Sequence, residues 1–290
     1  MNCLEILKVG SKILQTSNIK SFNLDSEILL SSVLKLKRSK IIFNFEKNIN
    51  KVEEKNYFNL IERRRKNEPV AYILGYKEFW KSTFKVDKNV LIPRPDTEIL
   101  IEQVLKELSI NSSKKILDIG TGSGCIIISI LKERKKCHGT AIDVSKKAIN
   151  LAKYNAKIQH IRNRINFFNS DIDNFCRDNY DLIISNPPYI KMFEINDLDN
   201  DVKNYEPKVA LNGGIDGYSK IKLVIERSSK LLKRKGKLIL EVGFNQARET
   251  ERILKLNGFY TNRIVKDLAN KNRCIVSSKA WIKKIINEKL

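Results

Sequence analysis

Histidine is nearly absent. Two occur in 290 residues, His138 and His160, which leaves little material for a mechanism built on an imidazole base or an imidazole-bound metal. Each reads as a surface or strand-end residue. The five cysteines (Cys3, Cys125, Cys137, Cys176, Cys274) are odd in number, widely spaced and contain no CxxC pair. Neither a disulfide framework nor a zinc cluster is expected, and no metal site is expected at all. No apolar run approaches the roughly 18–20 residues that a membrane span requires. The start, MNCLEILKVGSK, brings Glu5 early and has no basic segment leading into an apolar block. It does not read as a signal peptide, and a cytoplasmic protein is expected. Acidic residues are also short, with 33 Asp and Glu against 55 Lys and Arg for a net charge of +22. Such an excess raises the question of a nucleic-acid partner. Yet residues 1–90 carry 18 basic and 10 acidic side chains and the remaining 200 carry 37 and 23. The excess is therefore spread along the chain and describes a generally basic surface, one that speeds encounter with an acidic or RNA-rich partner without marking a binding face.

The length fits two domains, or one large domain with an appendage. Residues 1–75 carry apolar side chains at helical spacing, as in Leu4, Ile6, Leu7, Ile13, Leu14 and again in Ile28 to Leu34, with Asn23 and Asp25 as candidate caps of the second segment. A further stripe through Phe58, Leu60 and Ile61 runs into the basic patch Arg63 to Lys66, which reads as a solvated helix face. Residues 76–95 change pattern. Phe84 and Val86 alternate with polar neighbours, DKN reads as a turn, and Val90, Leu91 and Ile92 follow, so a β-hairpin connector is expected there, stopped by Pro93 and Pro95. From 96 to 290, strand patterns at 115–120, 139–143, 165–171, 180–186 and 237–242 alternate with helical ones, and two final strand patterns (260–267 and 273–280) form a hairpin. The fold class expected is α/β: a doubly wound, mostly parallel seven-stranded sheet with an antiparallel edge, preceded by a small helical domain.

The stretch ILDIGTGSGCI (116–126) runs from a strand through Gly120, Thr121, Gly122, Ser123 and Gly124 into a helix. Its G-x-G-x-G spacing departs from the G-x-G-x-x-G of dinucleotide folds. Asp118, at the strand end, is a poor neighbour for a pyrophosphate and a good one for an amino or hydroxyl group. Asp143 stands 19 residues beyond Gly124 at the end of the second strand, where an acid accepts from ribose hydroxyls, although it could merely cap the helix that follows. Asp171 ends the third strand, where a carboxylate can receive an adenine amine or simply make a turn. Four successive strands thus end on distinctive polar residues, and carboxyl ends are where open α/β sheets bind ligands. The ligand expected is S-adenosylmethionine.

The fourth strand ends in Asn186, Pro187, Pro188 and Tyr189. Proline fixes φ and removes a backbone donor, so the carbonyls of this loop are aimed in advance. The Asn186 side-chain oxygen and the Pro187 carbonyl can each accept one hydrogen of a planar NH₂ group, and Tyr189 offers a flat face for it. Such a clamp needs no histidine. It serves a glutamine amide or an aromatic base amine equally.

The glycine motif and NPPY resemble those of class I methyltransferases that modify planar nitrogens. The wider set EPVAYILGYKEFW (68–80), LIPRPDTEIL (91–100), ILDIGTGSG, SNPPYI and YEPKVALNGGIDG (205–217) is similar to the peptide chain release factor glutamine methyltransferase family. That resemblance implies a Rossmann-like methyltransferase fold and N5-methylation of the glutamine in the Gly-Gly-Gln loop of class 1 peptide chain release factors, with the helical domain engaging the release factor. It implies cofactor contacts at Gly120, Thr121, Gly122, Ser123, Gly124, Asp143 and Asn186, with Asp118 and Asp171 beside them. It also implies a substrate glutamine at Asn186, Pro187, Pro188 and Tyr189. Ile172 stands where some relatives carry an aromatic residue. Two other readings remain at this stage: an adenine-N6 methyltransferase acting on DNA or RNA, and a non-catalytic protein on a relic methyltransferase fold. Direct nucleic-acid binding is compatible with the charge and is not required by it.

Overall fold

A computed structural model describes residues 1–42, 46–177 and 179–280. The chain divides into two compact units, the first comprising 1–76 with 199–205 and the second comprising 77–198 with 206–290. The last ten residues of the expected methyltransferase body lie outside the described residues. No described helix is long and apolar enough to cross a membrane.

The first unit is helical: α1 (Cys3–Thr16), α2 (Phe22–Leu34), α3 (Arg38–Ile42), α4 (Lys51–Arg65) and α5 (Val70–Leu74). Asn2 and Asn50 begin α1 and α4 as reciprocal capping boxes with Glu5 and Glu53. The core gathers Ile6, Leu14, Leu29, Leu30, Tyr57 and Ile61. Two expectations change here. Asn23 and Asp25 both lie inside α2 rather than capping it, and Arg64 turns inward from the basic run to meet Asp25 at 2.7 Å, both side chains 8% exposed. An arginine stem packs against apolar neighbours while its head finds a carboxylate, and the sequence pattern of charges does not distinguish this from a solvated face.

At the start of the second unit lies a hairpin, β1 (Tyr76–Phe79, its first residue the last of the 1–76 segment of the first unit) and β2 (Ser82–Lys85). Its turn is at Trp80 and Lys81, seven residues before the DKN segment that the pattern suggests, and Val90 to Ile92 form no strand. Trp80 adopts φ of +54°, unusual for an aromatic residue. Its backbone N–H donates to Glu98 Oε1 at 2.6 Å and its indole to Glu133 Oε1 at 3.0 Å, which holds the turn without glycine or asparagine. Phe79 and Phe84 bury themselves in the core of this unit.

After α6 (Glu98–Glu107) come β3 (Lys115–Ile119), α7 (Cys125–Glu133), β4 (His138–Asp143), α8 (Lys146–Ile158), β5 (Ile165–Asn169) and β6 (Tyr180–Ser185). The short α9 (Asn200–Tyr205) belongs to the first unit. The second resumes with α10 (Ser219–Leu231), β7 (Leu232–Glu241), α11 (Ala247–Leu256), β8 (Phe259–Lys266) and β9 (Asn272–Lys279). The sheet order is β5-β4-β3-β6-β7-β9-β8, parallel except for β9. Strands β3 and β6 are apolar in their middles, Ile116–Leu117 and Leu182–Ile184, because helices cover both faces of a parallel sheet. Alternate residues feed two cores: Ile116, Leu182 and Ile184 on one side, and Leu117, Ile119 and Ile183 on the other. Chain order runs outward from β3 in one direction and from β6 in the other, so strand order reverses between these two neighbours. Their register pairs Ile119 with Ser185. The glycine turn and the NPPY loop therefore leave the sheet side by side, starting about 4.8 Å apart as parallel strands do.

Candidate active site

Ser185 Oγ donates to the Ile119 carbonyl at 2.8 Å and locks the last pair of β3 and β6 together. Immediately beyond, Gly120 and Gly122 have φ of +73° and +55°, which only glycine takes without strain. An added Cβ at either position would point into open space, so the turn presents bare backbone to whatever lies over it. The N–H groups of Gly120 and Thr121 both donate to the Ile142 carbonyl, at 2.9 and 3.0 Å. Asp143, ending β4, accepts from Gly122 N through Oδ2 and from Ser145 N through Oδ1, each at 2.9 Å. Ser145 Oγ in turn caps α8 by accepting from Ala148 N at 3.2 Å. A single carboxylate thus joins the glycine turn to the next helix and keeps lone pairs free on the cavity side.

These loops line one cleft of about 1130 Å³, a volume that includes the open solvent at its mouth. Gly120 to Ser123, Asp143, Asp171, Ile172, Asn186, Pro187 and Pro188 all line it. Asp118, Gly124 and Tyr189 stand behind its wall. Asp118 is fully buried; its Oδ2 accepts from Thr121 Oγ1 at 2.7 Å and its Oδ1 has no partner among the described residues. Gly124 starts α7 at φ of +81°, where a Cβ would press on Ile128 and Ala152. The Tyr189 ring packs against the second core, and its hydroxyl donates to Glu241 Oε1 at 3.2 Å. Asp171 accepts from Asp173 N at 3.3 Å at the start of a 3-10 turn.

The cleft also takes residues to which the motifs assign no role. Asn89, Val90, Leu91 and Pro93 form one wall, and Pro207, Val209 and Ala210 of the EPKVAL segment another. Arg94 and Glu206 tie those walls together at 2.5 Å, and Ile92 N donates to the same carboxylate. The LNGG run supports NPPY from behind: Gly213 N donates to the Ile190 carbonyl at 2.8 Å. A Cβ on Gly213 would lie 2.8 Å from Tyr189 Cα and from the Gly217 carbonyl, both backbone atoms. Gly213→Ala is therefore expected to destabilise the second unit by about 1–3 kcal/mol and to lower turnover by displacing NPPY. Thermal unfolding and initial rates check it, and an unchanged melting point with full activity would contradict the packing described.

Comparison with known proteins follows the same division. Residues 5–75 match the model of the PrmC N-terminal domain, and residues 95–198 match the methyltransferase small domain. The chain is 39% identical to the release factor glutamine methyltransferase of Clostridium acetobutylicum over 96% of its own length and 98% of that protein. The chain belongs to the release factor glutamine methyltransferase family. It is also 35% identical to a bifunctional methyltransferase of Rickettsia felis, of which it spans 57%. Among solved structures, a methyltransferase from Pyrococcus furiosus shares the fold, with a TM-score of 0.52 at 16% identity, covering 68% of this chain and 88% of that one.

Burial sets the protonation of this methyltransferase's inner carboxyls. It pushes Asp118 up to about 7, with the Asp143 charge adding and the Thr121 hydroxyl opposing. Burial likewise raises Asp143, against the two N–H groups that it accepts from. An acid held above its unfolded value near 3.9 stabilises the fold fully at low pH, and that contribution is lost as pH climbs through about 7. Asp118→Asn is accordingly expected to raise the melting temperature of the ligand-free protein at pH 8 by about 3–6 °C and to flatten its decline between pH 5.5 and 8. Calorimetric scans across that range measure both, and an identical pH slope in the variant would contradict the assignment.

Proposed function

We propose that this methyltransferase uses S-adenosylmethionine to methylate N5 of the glutamine in the Gly-Gly-Gln loop of class 1 peptide chain release factors, in the cytoplasm. One observation carries the reading. The Ile119–Ser185 pair sets the glycine turn beside Asn186, so a cofactor-type cradle and an amide acceptor open into one cleft. Near-full-length likeness to a release factor glutamine methyltransferase supports the substrate.

The residues present suit the cofactor. Gly120 and Gly122 offer backbone free of side chains, Asp143 offers acceptor lone pairs for ribose hydroxyls, and Asp171 can receive the adenine amine while Ile172 supplies apolar contact. Asp118 lies behind the turn with its Oδ1 unpartnered among the described residues, and a cationic ligand over the turn would favour its ionised form against burial. When bound, S-adenosylmethionine supplies an electrophilic methyl group on a sulfonium. The chain's own task is to present a weak nitrogen nucleophile. Asn186 Nδ2 is engaged by Thr97 Oγ1 at 3.3 Å, which leaves Oδ1 as the end available to a substrate N–H. Pro187 contributes a carbonyl from a loop with little freedom to lose. Two acceptors on one NH₂ orient it and favour the positive charge that grows on nitrogen during attack. Tyr189 holds the loop down rather than lining the cleft.

Incubation with methyl-labelled S-adenosylmethionine and either release factor or nucleic acid tests the assignment. Label is expected on the release factor glutamine. Label in DNA or RNA, with none in the release factor, would establish the adenine-N6 reading instead.

A further inference from the structure

Two conspicuous segments, RPDTE and KLILEV, meet behind Asn186. Thr97 ends the 3-10 turn Pro95–Thr97 and precedes α6, yet its hydroxyl caps no helix. It is 3% exposed and instead accepts from Asn186 Nδ2. Glu241 ends β7, and because Ser185 pairs with Leu240 in register, Glu241 stands beside Asn186 across the sheet. It is 2% exposed. Its Oε1 accepts from Tyr189 Oη, and its Oε2 has no hydrogen-bond partner among the described residues. Burial pushes its carboxyl up to about 7, against the Thr97 hydroxyl, the Arg273 guanidinium and the Tyr189 hydroxyl, while Asp96 adds to the rise.

We propose that Thr97 and Glu241 are positioning residues that fix which end of the Asn186 carboxamide faces the cleft. The inference rests on the reading that Asn186 Oδ1 accepts from the substrate amine. A hydroxyl has one hydrogen, and an ionised carboxylate only accepts. When Glu241 is ionised and its unpartnered Oε2 draws the Thr97 hydrogen toward it, the Thr97 oxygen can only accept, so the Asn186 NH₂ must turn to it and Oδ1 must turn to the substrate. Without the carboxylate, the same hydroxyl can donate to Oδ1. The amide can then reverse and present donors to a substrate that also has only donors to offer. Glu241 simultaneously anchors Tyr189 and so sets the two ends of NPPY from one buried carboxyl. The acceptor geometry is thereby fixed before substrate arrives.

The test compares Thr97→Val, Thr97→Ser and Glu241→Gln in the full-length enzyme. Thr97→Val leaves the Asn186 NH₂ without its partner and is expected to lower kcat about 10- to 100-fold. Its KM for the methylated substrate and its Kd for S-adenosylmethionine should stay within about threefold. Thr97→Ser, which restores the hydroxyl, should recover kcat to within about threefold of wild type, and Glu241→Gln should fall in between. Wild type is assayed on release factor and nucleic acid, and the variants on whichever is labelled, because a glutamine amide and a base amine need the same acceptor. Nuclear magnetic resonance of the Asn186 side-chain NH₂, assigned through Asn186→Asp, reads the network without substrate. Slow solvent exchange is expected in wild type and Thr97→Ser, and fast exchange in Thr97→Val and Glu241→Gln. A wild type that labels neither substrate fails the proposed function and leaves the exchange rates to decide the inference. Undiminished kcat in Thr97→Val, equal loss in Thr97→Ser, or cofactor affinity falling in step with kcat would each overturn it. If Thr97→Val does not fold, Glu241→Gln decides alone, by lowered kcat with slow exchange lost or by neither.

Discussion

Asn186→Ala is expected to cut kcat by about 10²–10³ while the Kd for S-adenosylmethionine moves less than about threefold. The asymmetry follows from where the side chain's two ends go. Nδ2 is held by Thr97, so the substitution removes the Oδ1 acceptor and leaves one buried threonine hydroxyl to redirect its bond. The glycine turn is fastened independently, by the Ile142 carbonyl and by Asp143, and has no bond to Asn186 to lose. An acceptor that strengthens its interaction as charge develops on nitrogen acts on the chemical step more than on ground-state binding. Stopped-flow or quenched single turnovers with saturating cofactor, beside calorimetric titration of the cofactor alone, separate the two quantities. Cofactor affinity falling as far as turnover would show that Asn186 holds the cofactor rather than the nucleophile.

Much of this site is visible in the sequence because its parts lie at strand ends, where pattern and chemistry coincide. An apolar run broken by Gly120, Asp143 or Asn186 announces both the strand and the loop beyond it. The expected strands at 115–120, 139–143 and 180–186 accordingly meet β3, β4 and β6 within one residue at each end. What stays hidden is whatever depends on residues distant in sequence. Thr97 and Asn186 are 89 residues apart and Tyr189 and Glu241 are 52 apart, and no local pattern links them. The hairpin shows a second kind of concealment. Its turn is formed by Trp80, held at positive φ by Glu98 and Glu133, whereas turn rules look for glycine, asparagine or aspartate. Arg64 shows a third: one member of a basic run is drawn inward by Asp25, 39 residues earlier. Tertiary partners, rather than propensity, decide each of these cases.

For Asp143→Ala the order of effects should reverse, with cofactor Kd rising about 100-fold and kcat at saturating cofactor falling less than about tenfold. The carboxylate has two duties that a methyl group cannot perform. It accepts from Gly122 N and Ser145 N, which fixes the glycine turn against the head of α8, and its remaining lone pairs face the cleft that it lines. Removing it leaves two backbone donors to find water and frees a turn whose glycines at 120 and 122 have no side chains to restrain them. Ligand binding must then order that turn as well as bind, so the cost appears in Kd. Asp143→Asn separates the duties, since its carbonyl can still accept one N–H while its NH₂ opposes the other. It should recover part of the lost affinity, with Gly122 the partner that decides how much. Calorimetric titration of S-adenosylmethionine into the three proteins measures the series, and a Kd for Asp143→Ala within about threefold of wild type would place the ribose contact elsewhere.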